Sequence, residues 1–334
     1  MTTDTLFAEA INLIHDSKRI LVTTHVKPDG DAAGSLGALV QALRAQGKQT
    51  HALFLSPVPQ WYKFLAPQDI SVMDETLSWD HVVDRILEQV DLVILLDVNS
   101  LNQLPKIGPW LKEGDLPVLI IDHHATSDHL GSVEVVDHSA AATGVLVYEL
   151  CKQAGWPITE SMAEAMFVAA ATDTGWFQFG NADSRVYRDC AALIDAGAKP
   201  AKIYETLYQN FSYARFKLTQ VMLATLELYF GGQFAIQHIR KLDFEHTGTN
   251  HEDTENLINE CHRIGSVKAS VLLVELDDGR IRCSLRSRGA VDVSQIARRF
   301  GGGGHKMASG TFLEGPLEHA KELIISQFKP FFES

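Results

Sequence analysis

Three short apolar runs punctuate the first part of the chain: Ile20-Leu21-Val22-Thr23-Thr24, Leu92-Val93-Ile94-Leu95-Leu96 and Val118-Leu119-Ile120-Ile121. Their length and branched side chains predict buried strands. A fourth run, Met166–Ala171, is rich in alanine and reads as a buried helix. Residues 32–46 carry apolar positions at Leu36, Leu39, Val40 and Leu43, a helical stripe that ends at Gly47. Residues 51–55 fit a strand, and 143–153, 161–171, 184–196 and 203–210 fit helices. Alternating strands and helices predict an α/β fold with a doubly wound parallel sheet.

The pattern changes beyond residue 212. Residues 213–228 contain no Gly or Pro and predict a helical linker between a first domain over 1–212 and a smaller α/β domain over 229–334. In that second domain the expected order is a strand over 233–240, a helix over 252–262, and strands over 268–276 and 280–286. Asp277-Asp278-Gly279 joins the last two as a hairpin.

Acidic and histidine residues fall where the apolar runs end. His25-Val26-Lys27-Pro28-Asp29-Gly30-Asp31 follows the first run, Asp97 the second, Asp122-His123-His124 the third and Asp173 the buried helix. In an open parallel sheet, residues just beyond the carboxyl ends of strands converge on one crevice. Five Asp and three His residues crowded there would repel one another without a cation among them, and a pair of divalent metal ions is the simplest answer. Pro28 and Gly30 turn the chain sharply, so Asp29 and Asp31 would serve different ions. Asp97 ends a wholly apolar strand, where an unpaired carboxylate is costly, and is the natural bridge. Two adjacent imidazoles do not easily face one ion, so one of His123 and His124 would be a ligand and the other would face substrate.

Composition narrows the field. The 334 residues are 46% hydrophobic, enough for two cores, and the mean hydropathy of −0.02 argues against disorder. No apolar run approaches the roughly 20 residues of a membrane span. The start of the chain, Met1-Thr-Thr-Asp-Thr, lacks a basic segment followed by an apolar one, so no signal peptide is expected. Cys151, Cys190, Cys261 and Cys283 are scattered, without metal-ligand spacing, as in buried thiols of a reducing compartment. The expected location is cytoplasmic.

The net charge of −13 disfavours long polyanions. Yet from Arg263 to Lys306 nine basic residues stand against four acidic ones, which suits a short anionic ligand. Arg286 and Arg288 alternate on the expected hairpin and offer guanidinium forks for phosphate. Gly301–Gly304 would let backbone N–H groups approach an anion closely, with His305 adding a donor.

These motifs resemble the DHH family of phosphoesterases, named for the triplet that stands here as Asp122-His123-His124. His25-x-x-x-Asp29-Gly-Asp31, Asp97 and Thr172-Asp173-Thr174-Gly175 match in order and content. Ser284-Leu285-Arg286-Ser287, Asp292–Ala297 and Phe300-Gly301-Gly302-Gly303-Gly304-His305 resemble the family's associated C-terminal domain. The length and motif set are most similar to its bifunctional oligoribonucleases and 3′-phosphoadenosine-5′-phosphate (pAp) phosphatases, the nanoRNases.

The resemblance implies His25, Asp29 and Asp97 on one ion and Asp31, Asp97, His123 and Asp173 on the other. His124 would contact the scissile phosphate, with Asp122 orienting the imidazoles. Arg286, Ser287, Gly302, Gly303, Gly304 and His305 would hold substrate. Carboxylate and imidazole ligands without thiolate suit Mn²⁺. His138 stands where proline is expected and Gln178 where a basic residue is common.

The expected enzyme cuts very short single-stranded RNA to mononucleotides, and pAp to AMP, in a cleft between its domains. Duplexes and membranes are not expected partners, and a homodimer is left open. The nearest enzymatic alternative is a phosphodiesterase for pApA or cyclic dinucleotides. The glycine–His motif argues against an inorganic pyrophosphatase, and the complete ligand set against a non-catalytic nucleotide sensor.

Overall fold

The computed structural model describes residues 3–125, 127–289 and 291–332. They form two compact units that divide between Asn210 and Phe211.

The first unit is built on six strands: β1 (Arg19–Thr24), β2 (Gln49–Phe54), β3 (Ser71–Val72), β4 (Leu92–Leu96), β5 (Val118–Asp122) and β6 (Val133–Val136). They lie in the order β3-β2-β1-β4-β5-β6, and every neighbouring pair is parallel. Side chains alternate between two cores. Ile20, Val22, Ile94, Leu96, Leu119 and Ile121 enter one; Leu21, Val93, Leu95, Val118 and Ile120 enter the other. Burial on both faces explains why these strands read as continuous apolar runs.

Several helices follow the periodicity closely, including Thr143–Gln153, Ser184–Asp195 and Pro200–Tyr208. Two run further than expected. One begins at Gly30, which puts Asp31 in its first turn, and the other extends to Asp173, its last residue. They touch backbone to backbone. A Cβ on Gly34 would lie 2.4 Å from the Ala165 carbonyl oxygen, and one on Gly30 2.4 Å from Thr172 Oγ1. Only glycine permits that approach, which brings the start of one helix beside the end of the other.

The second unit has six strands in the order β11-β12-β10-β9-β8-β7. They are β7 (Glu227–Tyr229), β8 (Phe234–Ile239), β9 (Ala269–Glu275), β10 (Arg280–Ser287), β11 (Gly303–His305) and β12 (Ala308–Glu314). Only β8 and β9 pair in parallel. Ile281, Cys283 and Leu285 of β10 face a core completed by the helices Val293–Arg298 and Leu317–Phe332, while Arg282, Ser284 and Arg286 lie on the opposite face. The expected hairpin at 277–279 joins β9 and β10, with Gly279 at φ 84°.

Two expectations are corrected. The helix begun at Tyr213 stops at Ala224, and its Leu218 and Met222 are buried with Ile239 and Phe244, so it packs into the second unit instead of spanning as a linker to 228. The helix expected over 252–262 is two 3₁₀ turns, His251–Thr254 and Leu257–Arg263, broken at Asn256 with φ 60°. The glycine run enters an edge strand, β11. All four cysteines are free and buried. Among the described residues no helix is long and apolar enough to cross a membrane.

Candidate metal centre

The strand order reverses direction between β1 and β4, where an open α/β sheet leaves a crevice at its carboxyl edge. His25 leaves β1 there, Asp97 leaves β4, and Asp122 ends β5 with His123 and His124 following. Asp97 takes φ 60° while its N–H still donates to the Ile121 carbonyl at 3.0 Å. That left-handed turn, uncommon outside glycine, lifts the carboxylate out of the strand direction.

The side chains gather into three overlapping groups, each with ligand atoms within 4.8 Å of one another: His25, Asp29 and Asp97; Asp31, His123 and Asp173; and Asp97, His123 and His124. Asp97 belongs to two of them. Its Oδ2 lies 3.4 Å from His25 Nε2, and its Oδ1 lies 3.5 Å from His123 Nε2 and from His124 Nδ1. His123 Nε2 is also 3.6 Å from Asp173 Oδ2 and 3.7 Å from Asp31 Oδ2. Good N–H···O hydrogen bonds have a mode near about 2.9 Å. The longer spacing here matches donors around a common ion, since ligands at about 2.1 Å in octahedral or tetrahedral arrangement stand roughly 3.0–3.4 Å apart.

Hydrogen bonds fix which atoms point inward. His123 Nδ1 pairs with the Ala140 carbonyl at 3.2 Å, so Nδ1 is the donor there and Nε2 is the nitrogen left to face a cation. That Nε2 is buried and makes no hydrogen bond, as a metal-ligating nitrogen requires. His25 Nδ1 donates to the Val26 carbonyl at 2.8 Å and likewise turns Nε2 toward Asp97. Asp122 is fully buried, and its Oδ1 accepts from the backbone N–H groups of His123 (2.8 Å) and His124 (3.2 Å) and from His124 Nδ1 (2.8 Å). Asp29 caps the helix that starts at Gly30, its Oδ1 accepting from the N–H groups of Asp31 and Ala32.

Asp31, 1% exposed, is the most enclosed of the candidate ligands. Its oxygens accept from Ser35 Oγ (2.9 Å), Thr143 N (2.7 Å) and Gly144 N (2.9 Å). The Thr143 hydroxyl donates to Asp97 Oδ1 at 3.1 Å. Asn181 Nδ2 donates to the carbonyls of Asp173 and Ala141. Sequence reasoning missed Ser35, Ala140, Thr143, Gly144 and Asn181. Two signals were available: Ser35 stands one helical turn after Asp31, and Thr143 begins a helix, whose free N–H groups favour a carboxylate.

Charge crowding shows in the protonation equilibria. Burial opposes a charged His25, but Asp97 and Asp29 prevail and push its pKa up to about 10. Burial likewise opposes a charged His123, yet Asp97, Asp31 and Asp173 push it up to about 11. Burial and the nearby charge of Asp97 drive Asp31 well above the usual carboxylate range. Burial raises Asp173 to about 7 against the pull of His123, with Asp29 and Asp97 adding to the rise. Asp97 itself, despite burial, is held below the ordinary range by His123 and His25. Protons thus occupy the places that cations would otherwise fill.

The remaining predicted residues lie in the second unit. Arg286 is half-buried on β10, and register places it in one cross-strand row with Ala308, His305 and Ser270. Ser270 Oγ is 2.9 Å from His262 Nε2. Only the backbone of His305 is described, and its side chain lies outside the described residues. Ser287 is buried and donates to the Val291 carbonyl at 2.7 Å, so it also shapes the following turn. Gly302 also has a structural reason. Its N–H donates to the Ala297 carbonyl, and a Cβ there would meet the Gly310 carbonyl oxygen at 2.2 Å. Gly303 and Gly304 pair with Gly310 and Ser309 of β12. Gln178 is exposed, and His138 Nδ1 lies 3.4 Å from the His123 carbonyl.

A carboxylate–histidine cluster at the switch point of a parallel sheet places the chain among α/β proteins with an acidic crevice that could hold cations. The chain belongs to the DHH family: residues 19–170 match the DHH family, N-terminal domain, and residues 231–334 match the DHHA1 domain. It is 32% identical over 322 residues to the bifunctional oligoribonuclease and PAP phosphatase NrnA of Thermus thermophilus, covering 96% of this chain and 91% of that one. The protein of the same name from Bacillus subtilis is 29% identical over 305 residues, covering 90% and 91%. Among solved structures, an exopolyphosphatase-related protein from Bacteroides fragilis superposes with a TM-score of 0.92 at 25% identity, over 99% of this chain and 98% of that one.

Proposed function

We propose that this protein is a two-metal phosphoesterase that hydrolyses very short oligoribonucleotides to mononucleotides, and pAp to AMP. One observation carries the metal reading: Asp97 directs its two carboxylate oxygens to two different groups of ligand atoms, as a bridging ligand must. His25, Asp29 and Asp97 would hold one ion; Asp31, Asp97, His123 and Asp173 would hold the other. The orphaned, buried Nε2 of His123 supports this assignment, and oxygen-rich donors with imidazole and no thiolate suit Mn²⁺. Divalent ions bound there supply Lewis acidity, activating water and offsetting charge on phosphoryl oxygens.

The protein's own groups do the rest. Asp122 fixes the His124 ring through Nδ1, which leaves Nε2 as the atom to meet the scissile phosphate and stabilise the departing oxygen. In the second unit, Arg286 offers a guanidinium to a nucleotide phosphate, with Gly303, Gly304 and His305 on β11 of the same sheet, one strand beyond β12. The choice of substrate rests on the relatives named above, and the net charge of −13 fits a preference for short chains over long polyanions.

The test is a panel assayed with Mn²⁺: pAp, pApA, cyclic di-AMP, a five-nucleotide RNA and pyrophosphate. Turnover of pAp and of short RNA, falling toward longer or duplex RNA, is expected. Turnover restricted to pyrophosphate, or any turnover independent of metal, would refute the proposal.

A further inference from the structure

We infer that Arg185 is a positioning residue for the metal centre, acting through the loop 137–144 that backs the candidate ligands. The inference rests on the two-metal reading above and adds the element that holds its geometry.

That loop reaches the ends of β4 and β5 and the first turn of the helix that starts at Gly30. The Asp137 N–H donates to the Asp122 carbonyl at 3.1 Å. The Ala140 carbonyl accepts from His123 Nδ1, and the Ala141 carbonyl shares Asn181 with the Asp173 carbonyl. Thr143 and Gly144 give their N–H groups to Asp31, and Thr143 gives its hydroxyl to Asp97. Most of these contacts are made by main-chain atoms, and the Ser-Ala-Ala-Ala segment at the loop's middle, though its alanines are buried in the core, has no long polar side chain to fix the loop's register. A polar anchor comes from outside the loop.

Arg185 supplies that anchor from the first turn of the helix Ser184–Asp195. Its Nε and Nη2 grip Glu149 Oε1 and Oε2 at 2.9 and 2.7 Å, a two-pronged fork onto the helix Thr143–Gln153. Its Nη1 holds Asp137 Oδ2 at 2.7 Å and Ser139 Oγ at 3.3 Å. Asp137 Oδ1 in turn accepts from the Ser139 N–H at 2.9 Å and hydroxyl at 2.6 Å. One planar guanidinium therefore ties the start of the loop to the helix at its end. The side chains of Arg185, Asp137 and Glu149 are 25%, 15% and 23% exposed, so water screens them less than an ordinary surface pair. Lysine has no fork with which to span both carboxylates.

The test compares Arg185→Met and Arg185→Lys with the wild type and with Arg44→Met. Arg44 makes a similar fork to Asp69, at 2.9 and 2.8 Å, elsewhere in the first unit. Mn²⁺ binding is followed by calorimetry, the paired-ion signal by electron paramagnetic resonance, and turnover by steady-state kinetics. In both Arg185 variants the affinity of the ion assigned to Asp31, His123 and Asp173 should fall about tenfold or more, the range for partners that orient ligands. The ion assigned to His25 and Asp29 should bind as before, the paired-ion signal should weaken, and kcat should fall with little change in KM. Arg44→Met should match the wild type. Arg185→Lys keeps the charge and the aliphatic stem, so it remains informative should the methionine variant fold poorly. Unchanged affinity at both ions, or an equal loss at both, would overturn the inference. A wild type that binds fewer than two Mn²⁺ would overturn the two-metal reading and this inference with it.

Discussion

Thr143→Val isolates one bond in the centre without changing the size of the side chain. Thr143 and Asp97 are 0% and 2% exposed, and the hydroxyl donates to Asp97 Oδ1 at 3.1 Å. That oxygen also stands 3.5 Å from His123 Nε2, across the space assigned to a metal ion. With the hydroxyl gone, a metal-free Asp97 can close onto the protonated His123, and an incoming ion must break that contact. A hydrogen bond to a charged group contributes about 1.5–3 kcal/mol, so Mn²⁺ affinity should fall roughly ten- to hundredfold. Thr143→Ser keeps the hydroxyl and should recover most of the loss. Calorimetric titration with Mn²⁺ and turnover as a function of Mn²⁺ concentration both read the effect. If the valine variant bound Mn²⁺ as the wild type does, Asp97 would not need this support, and the account of how its bridging oxygens are fixed would be wrong.

Three further outcomes are expected. Asp97→Ala should abolish turnover of every substrate, and EDTA should do the same until Mn²⁺ is restored; residual metal-free activity would contradict the centre. Mn²⁺ binding should release protons and tighten between about pH 6 and about pH 8, since His25 and His123 must lose protons they otherwise hold up to about 10 and about 11; calorimetry in buffers of different ionisation heat tests this. Without metal the sign is opposite: these raised values favour the fold below the free-histidine pKa of about 6.5, and that contribution is lost as pH climbs through them. Arg286→Ala should cost roughly ten- to hundredfold in kcat/KM on nucleotides and far less on bis-p-nitrophenyl phosphate, which has no nucleotide end to hold. Equal losses on both would place Arg286 in the chemistry or in folding.

The first unit was legible because its central strands are buried on two faces, so Ile20–Thr24, Leu92–Leu96 and Val118–Ile121 stand out as short unbroken apolar runs. The elements that escaped lack such a signature. β6, Val133–Val136, is interrupted by Glu134, and β3 is two residues long. β11 and β12 contain Gly303, Gly304 and Gly310, which weaken any strand pattern, although a Cβ on Gly304 would come within 2.6 Å of the Ala308 carbonyl oxygen. The 252–262 segment had helical composition throughout, and a left-handed turn at Asn256 cannot be read from spacing alone.

The site divides along a different line. Its acids and imidazoles were legible because a strand end fixes where a side chain goes, and titratable groups at such ends need a compensating charge. What orders them was not legible, because much of it is main chain: the Ala140 carbonyl that sets the His123 tautomer, the Thr143 and Gly144 amides on Asp31, and the Asp97 N–H bonded to Ile121. A backbone group carries no residue signature, so alanine at 140 and glycine at 144 look like filler until their partners are known. Ser287 and Gly302 show the converse, since these chemically suggestive residues also satisfy the local backbone. In this protein the candidate ligand atoms come from side chains at strand and helix ends, while their orientation comes largely from one alanine-rich loop. Substitutions that move that loop should therefore alter metal affinity even where they touch no ligand.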